Sequence, residues 1–135
     1  MYTAELTVPT RGVGFEEITS EVAEHVRRSG VRDGLAVLFV QHTSASLLIQ
    51  ENADPTVQAD LLAFLARIAP EGAGYRHDSE GPDDMPSHLR SAITHTSEVI
   101  PVVGGRLALG TWQGIFLVEH RRAPRTRRVR LVVVG

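Results

Sequence analysis

The C-terminal part of the chain contains four strand-like segments joined by short turns, and this order restricts the folds that the sequence can adopt. The segments cover residues 97–103, 106–109, 113–120 and 127–134. Strands joined by short turns pair antiparallel, whereas parallel strands need long crossover connections. We therefore predict an α+β fold and not a doubly wound parallel sheet.

The rest of the chain adds three strands and three helices to this arrangement. The predicted strands cover residues 2–8, 35–41 and 46–51, and the predicted helices cover 16–29, the segment from Asp54-Pro55 to Pro70, and 86–94. Because its apolar run is continuous, the strand at 35–41 is expected to be buried on both faces. In the second helix, one apolar stripe is formed by Val57, Leu61, Leu65 and Ile68, a pattern typical of a helix that packs against a core.

The composition narrows the class of protein. The length of 135 residues and the 42% of apolar residues predict one domain, spanning residues 1–135. With no run of 18 apolar residues and no basic-then-apolar leader, we expect a cytoplasmic protein without a membrane partner. Cys and Lys are both absent. Disulfides, thiolate metal sites, Schiff-base lysines and a P-loop lysine are thereby excluded.

Arginine is concentrated at the C-terminal end. Residues 121–135 hold six of the fourteen Arg and no acidic residue. Such an end could bind nucleic acid, bind phosphates or neutralise an acidic neighbour. Because the segment lacks aromatic residues for base stacking and its Arg alternate in part with apolar residues, we do not expect nucleic acid as a partner. Arg128 and Arg130 are predicted to share one face of the last strand.

Three of the six histidines are candidates for chemistry. His25 is predicted to lie on a helix surface, and His95 ends a helical pattern, where a cation favours the helix dipole. His42, His77 and His88 lie at element edges or in a long polar loop. Three imidazoles with an open fourth position would suit a catalytic metal. Their spacing matches no compact metal motif, so separate polar loop residues remain the alternative.

The loop from residue 71 to 86 is rich in acidic residues, namely Asp78, Glu80, Asp83 and Asp84. Such a run is usually a solvated face. Alternatively, one or two of these acids bind a divalent ion or act as a general base, or Asp83 or Asp84 caps the following helix.

Two further residues are notable for their settings. Trp112 lies between two glycines, and its strand context favours a core position. Glu119 ends an apolar strand, and if it points inward it needs a partner, for which the Arg cluster is the obvious source.

Six blocks of the chain, in their order and spacing, resemble the YjbQ family. The blocks are Gln41-His-Thr-Ser-Ala-Ser-Leu, Glu51-Asn-Ala-Asp54, His77-Asp-Ser-Glu-Gly81, Asp84-Met-Pro-Ser-His88, Ile100-Pro101 and Leu109-Gly-Thr-Trp-Gln-Gly-Ile115. The resemblance covers nearly the whole chain. Two positions depart from the family pattern, since His95 stands where Gly is expected and Ser87 where Ala is usual.

The resemblance implies a fold, an assembly and an activity. The expected fold is α+β with a seven-stranded antiparallel, sandwich-like core, two main helices and one short helix, assembled as a homotrimer. The expected activity is that of a secondary thiamine phosphate synthase. Such an enzyme joins a pyrimidine diphosphate to a thiazole phosphate with loss of diphosphate, so a small phosphorylated metabolite is the expected partner.

The family motifs can be carried over residue by residue. The implied catalytic positions are His42, Asn52, Asp54, Asp60, Gln113 and Glu119, and the motifs also include Trp112. His42, His77 and His88 also fall on motif positions, and their chemistry favours them as metal or proton-transfer groups, with zinc or magnesium as the candidate ion. Because diphosphate loss needs positive charge and Lys is absent, Arg121, Arg128 or Arg130 could supply it if the last strand borders the site.

Two other functions remain open at this point. One is a trimer that binds a metabolite or phosphate without turnover. The other is a metal-assisted hydrolase in which a loop acid serves as the base. Turnover that depends on single His or Asp side chains would favour either enzyme, whereas saturable binding without product would favour the binding protein.

Overall fold

The computed structural model describes all residues from Met1 to Gly135 and contains eight strands and three helices. The strands are β1 (Tyr2–Thr10), β2 (Gly14–Glu17), β3 (Gly34–Val40), β4 (Ala45–Glu51), β5 (Ser97–Val103), β6 (Arg106–Leu107), β7 (Gln113–Glu119) and β8 (Arg125–Val134). The helices are α1 (Thr19–Ser29), α2 (Pro55–Ile68) and α3 (Asp84–Ile93). No helix is both long and apolar enough to cross a membrane.

The strands form two antiparallel sheets. The five-stranded sheet has the order β1-β8-β3-β5-β6, and the three-stranded sheet has the order β2-β7-β4. Every pairing is antiparallel, so the prediction of an antiparallel α+β fold is confirmed. Gly104 and Gly105 form the β5–β6 turn with φ of 59° and 79°, values that favour glycine.

The strand count differs from the seven that the family resemblance implies. The additional strand is β2, which falls where the sequence suggested a turn and the start of a helix. Glu16 and Glu17 pair with Leu117 and Phe116 of β7, so α1 begins only at Thr19. The apolar periodicity identifies the helix, but it does not indicate that the residues just before the helix form a β-strand.

One hydrophobic core lies between the sheets and α1. Its 17 buried residues come from both sheets, from Ile18 just before α1, and from Val22 and Val26 of α1. In β8, Val129, Leu131 and Val133 face this core, while Arg128 and Arg130 face outward as predicted. Alternation of this kind is the signature of a sheet with one buried face.

The prediction that β3 is buried on both faces is wrong. Ala36, Leu38 and Val40 are buried, but Leu35 and Phe39 are 41% and 49% exposed. They belong to an outward surface of the five-stranded sheet, here named the apolar sheet face: Leu35, Val37, Phe39, Val99, Pro101, Val103, Val132 and Val134. A continuous apolar run therefore shows that both faces of the strand are apolar. It does not show that residues of the same chain cover both faces.

The second helix is also less buried than its sequence pattern suggests. Asp54 caps α2 as predicted, since its Oδ1 accepts from the backbone N–H of Thr56 at 2.9 Å. Of the apolar stripe, however, only Leu65 is buried, and Phe64 and Ile68 are each 48% exposed. The helix thus presents apolar side chains that its own chain leaves uncovered.

A buried ion pair joins the two sheets at one end. Glu119 of β7 accepts from Arg127 of β8 at 2.7 and 2.5 Å, and from the Thr10 hydroxyl of β1 at 2.7 Å. Burial alone would raise the pKa of Glu119, but the hydrogen bonds from Arg127 and Thr10 outweigh it and leave the pKa below its ordinary value. The expectation that an inward Glu119 needs an Arg partner is therefore met.

His120, next to Glu119, is also fully buried. Its Nε2 lies 2.8 Å from the Ser46 hydroxyl, and its Nδ1 has no hydrogen-bond partner. Burial, together with the nearby charge of Arg90, lowers the pKa of His120 to about 4. The imidazole is therefore neutral in the folded protein at neutral pH.

This depressed pKa predicts that stability falls on mild acidification. The unfolded chain binds a proton on His120 below its ordinary pKa of 6.5, whereas the folded protein binds it only below about 4. Between these values the free energy of unfolding should fall by about 1.4 kcal/mol per pH unit, or about 3 kcal/mol in all. Urea unfolding of the wild type and of His120→Gln at several pH values measures the effect.

The His120→Gln variant should lose this contribution to the pH dependence of the free energy of unfolding, whereas the control His25→Gln should keep it. An unchanged slope in His120→Gln would contradict the assignment.

Candidate functional site

The first turn of α3 places two polar side chains on one face. The helix begins at Asp84, two residues earlier than predicted, and His88 follows four residues later. Residues four apart on a helix are neighbours, so the Asp84 carboxylate and the His88 imidazole point to the same place. His77, in the loop before the helix, meets them there.

These three residues, here named the His–Asp cluster, are close enough to share one ion. Asp84 Oδ2 lies 2.7 Å from His77 Nε2 and 3.3 Å from His88 Nε2. All three ligand atoms lie within 4.8 Å of one another, which makes the group a candidate metal site. Two imidazoles and one carboxylate leave coordination positions free for substrate or water.

The surroundings orient the ligands of the cluster. The Nδ1 of His88 donates to the carbonyl of Thr43 at 2.9 Å. Because Nδ1 is held by this carbonyl, Nε2 is the ring nitrogen that faces Asp84. A metal-ligating histidine commonly donates its second N–H to a carbonyl in this way. The His77 side chain remains 47% exposed, so the cluster is open to solvent on that side.

Arg121 holds the carboxylates of the loop in place. Its guanidinium donates to Asp84 Oδ1 at 2.7 Å and to Asp83 Oδ2 at 3.0 Å. Burial would raise the pKa of Asp84, but the hydrogen bond with His77 and the charges of His88 and Arg121 hold the pKa below its ordinary value. Asp84 is therefore ionised at neutral pH, with Oδ1 bound to Arg121 and Oδ2 facing the imidazoles. These contacts also show that the acidic run is not simply a solvated face.

The basic C-terminal end is largely neutralised by acids of the same chain. Besides Arg121, Arg127 pairs with Glu119, and Arg122 pairs with Glu71. Arg128 and Arg130 lie on the outer sheet surface near Glu5, at 4.0 and 3.6 Å. Of the three roles considered for this segment, the structure shows the neutralisation of acidic neighbours.

His42 is not part of the His–Asp cluster, although sequence analysis grouped it with His77 and His88. Its Nε2 accepts from the backbone N–H of Arg128 at 2.8 Å. Burial and the charge of Arg127 lower the pKa of His42. Asp84, and not His42, is the third member of the group that His77 and His88 form.

The remaining predicted site residues lie elsewhere within the chain. Glu51 pairs with Gln113 at one end of the β4–β7 ladder, and Ala45 pairs with Glu119 at the other. Asn52, Gln113 and Trp112 therefore lie roughly 20 Å from the Glu119 end. There Asn52 donates to Glu17 at 3.1 Å, and Gln113 accepts from the backbone of Gly110 at 2.8 Å.

Asp54, Asp60 and Trp112 also lie outside the His–Asp cluster. Asp54 is occupied as the cap of α2, and Asp60 is exposed on the same helix. The prediction that Trp112 is a core residue is wrong, because its side chain is 62% exposed. The signal for Asp84 was present in the sequence as an Asp and a His four residues apart at a helix start.

The fold and the cluster define a mixed α+β protein of two antiparallel sheets with a His/Asp group beside its shortest helix. The comparisons with known proteins give the family. A family model described as UPF0047 protein YjbQ-like matches residues 4–135. The chain belongs to the YjbQ (UPF0047) family.

Individual relatives agree over the full length. A UPF0047 protein of Synechocystis is 55% identical over 131 residues, which cover 96% of this chain and 89% of the relative. YjbQ of Escherichia coli O157:H7 is 44% identical, with 99% of this chain and 98% of that protein covered. The crystal structure of a hypothetical protein from Aeropyrum pernix is 37% identical, has a TM-score of 0.91 and covers 100% of this chain and 99% of its own.

The geometry predicts which side chains are needed to bind a metal. His77→Ala, Asp84→Asn and His88→Ala should each weaken zinc binding by about 100-fold or more, because each removes one ligand atom. His42→Ala and His25→Ala should bind zinc like the wild type. Competition against a chromophoric chelator, with protein that carries no histidine tag, measures the affinities. Loss of binding in His42→Ala with retention in Asp84→Asn would restore the three-histidine site instead.

Proposed function

We propose that the protein is a divalent-metal-dependent enzyme that acts on a phosphorylated metabolite, with thiamine phosphate synthase-type transfer as its reaction. The observation that supports this proposal most directly is the His–Asp cluster, with its buried ionised carboxylate and two oriented imidazoles. The transfer reaction itself comes from the family resemblance.

The charges around the cluster favour a metal over arginine for the diphosphate. A departing diphosphate needs positive charge. Arg121 is already bound to Asp83 and Asp84, and Arg122 to Glu71. Neither guanidinium is free to neutralise a substrate. A divalent ion held by the cluster would supply the missing charge.

Space for a substrate lies beside the cluster. An open cavity of about 490 Å³ is lined by Tyr75, His77, Asp78, Met85 and Pro86, together with glycines of the loop. This volume is within the usual range for small-molecule sites. Because His77 lines the cavity and also belongs to the cluster, it would contact a bound substrate and could exchange a proton with it.

One observation favours a second reaction at the same place. Glu80 Oε2 lies 3.3 Å from His77 Nε2, and the Glu80 side chain is 65% exposed. A carboxylate so placed can act as the general base for an attacking water. A metal-assisted hydrolase is therefore the second candidate function.

The two reactions are separated by their products. With pyrimidine diphosphate and thiazole phosphate, a transferase should release diphosphate only when both substrates are present. A hydrolase should release phosphate from the diphosphate alone. In either case Asp84→Asn and His77→Ala should lower turnover by about 100-fold or more, and removal of metal by a chelator should act in the same direction. The control variant His25→Ala should keep full activity. Saturable substrate binding without any product would overturn both reactions and favour a binding protein.

We further propose that the protein assembles as a homotrimer. The apolar sheet face and the exposed apolar residues of α2 are two different uncovered surfaces on one chain. Contiguous exposed apolar surface of this kind marks an interaction site. If α2 of one copy covers the sheet face of the next, the contact is head-to-tail, and such contacts form a closed ring when the rotation between copies closes.

The assembly can be tested by placing charge on either surface. Phe39→Glu and Ile68→Glu should each shift the protein from trimer to monomer in sedimentation analysis, because each would bury a charge in the contact. The matched control is Thr7→Glu, an exposed substitution on the same outward face but in its polar β1 edge strand, which should leave the assembly unchanged. A wild-type protein that sediments as a monomer at all concentrations would refute the proposal.

A further inference from the structure

A large cavity lies apart from the His–Asp cluster and shares no lining residue with it. It has a volume of about 710 Å³ and opens between α1 and the β5–β6 hairpin. Its apolar lining consists of Ala23, Val26, Val31, Leu107 and Leu109. Arg27, Arg32 and Arg106 are its charged lining residues, and no acidic side chain contributes to it.

Two of these guanidinium groups are free to bind a ligand. Arg27 is already paired with Glu24 at 2.6 Å. Arg32 and Arg106, in contrast, have no carboxylate within ion-pair distance. Seven of the fourteen arginines have an ion-pair partner. Arg32 and Arg106 belong to the other seven, and both line this one cavity.

The hairpin turn brings Arg32 to the mouth of the cavity. The backbone N–H of Gly105 donates to the Arg32 carbonyl at 2.8 Å. Arg32 Nη1 lies 3.4 Å from the position that a Cβ on Gly105 would occupy. Arg106 follows directly in the chain. Both cationic side chains therefore line the same cavity as the five apolar residues.

The opposite side of α1 shows the reverse charge. A second cavity there, of about 450 Å³, is lined by Glu5, Glu16, Glu17 and Glu21 together with His25. An anion would be repelled from that cavity and attracted to the first one. The cavities on the two sides of α1 therefore differ in the sign of their lining charges.

We propose that the cavity between α1 and the β5–β6 hairpin binds a small organic anion, with an apolar body on the floor and a carboxylate, sulfonate or phosphate at Arg32 and Arg106. Guanidinium groups match the geometry of such oxyanions, and the volume is typical of small-molecule sites. The cavity adjoins the start of β3, whereas His88 contacts Thr43 beyond its end. The two sites are thus separated by the length of β3, roughly 20 Å.

The test uses two fluorescent probes that differ mainly in charge. 8-Anilinonaphthalene-1-sulfonate is an aromatic body with one sulfonate, and N-phenyl-1-naphthylamine is its uncharged counterpart. The wild type should bind one sulfonate probe per chain at this site, about 10-fold or more tighter than the neutral probe. Arg32→Gln and Arg106→Gln should remove most of that difference. Arg11→Gln, an exposed arginine without an ion-pair partner outside the cavity, is the matched control and should bind as the wild type does.

A steric variant separates this site from other apolar surfaces. Ala23 is exposed on α1 and lines the cavity, so Ala23→Phe should fill the space without entering the core and should block both probes there. Sulfonate-probe binding that survives Ala23→Phe and both Arg variants unchanged would overturn the proposal, because the probe would then be held by another surface such as the apolar sheet face. His77→Ala should leave probe binding intact, so failure of the catalytic proposal and failure of this one are distinguishable.

Discussion

The buried ion pair between Glu119 and Arg127 is the interaction on which the candidate site depends. It joins β7 to β8, and through Thr10 it also holds the end of β1. Arg127 additionally donates to Ser44 at 3.0 Å, and the backbone N–H of Arg121 donates to Glu119 at 3.1 Å. A buried charge left without its partner is costly, by about 3–5 kcal/mol. The pair therefore favours one arrangement of these chain ends over alternatives.

This arrangement sets the chemistry of the site a few residues later. Because the chain leaves Glu119 in a fixed direction, Arg121 reaches Asp83 and Asp84 at the start of α3. Asp84 is then held ionised and directed at two imidazoles, one of which is itself oriented by the Thr43 carbonyl. The cluster is preorganised by residues from three separate parts of the sequence.

Sequence patterns predicted most of the elements but not their surroundings. The cap at Asp54, the glycine turn at Gly104-Gly105 and the alternation in β8 were correct because each depends on local backbone chemistry. The start of α1, the burial of β3 and the position of Trp112 were wrong because each depends on which distant strand or surface lies opposite. The residue types were enough to propose the loop acids as ligands. That Asp84, and not His42, lies beside His77 and His88 could be seen only in the folded structure.

The sequence by itself determined that the protein is an antiparallel α+β structure with His and acidic residues concentrated in one loop and at nearby element ends. Periodicity, turn residues and caps act over a few residues, so they are legible in a single chain. Tertiary structure alone decided that Asp84 joins His77 and His88, that the C-terminal arginines are mostly neutralised, and that Arg32 and Arg106 are not. Those outcomes depend on distances between residues far apart in sequence, which only the packing of the two sheets establishes.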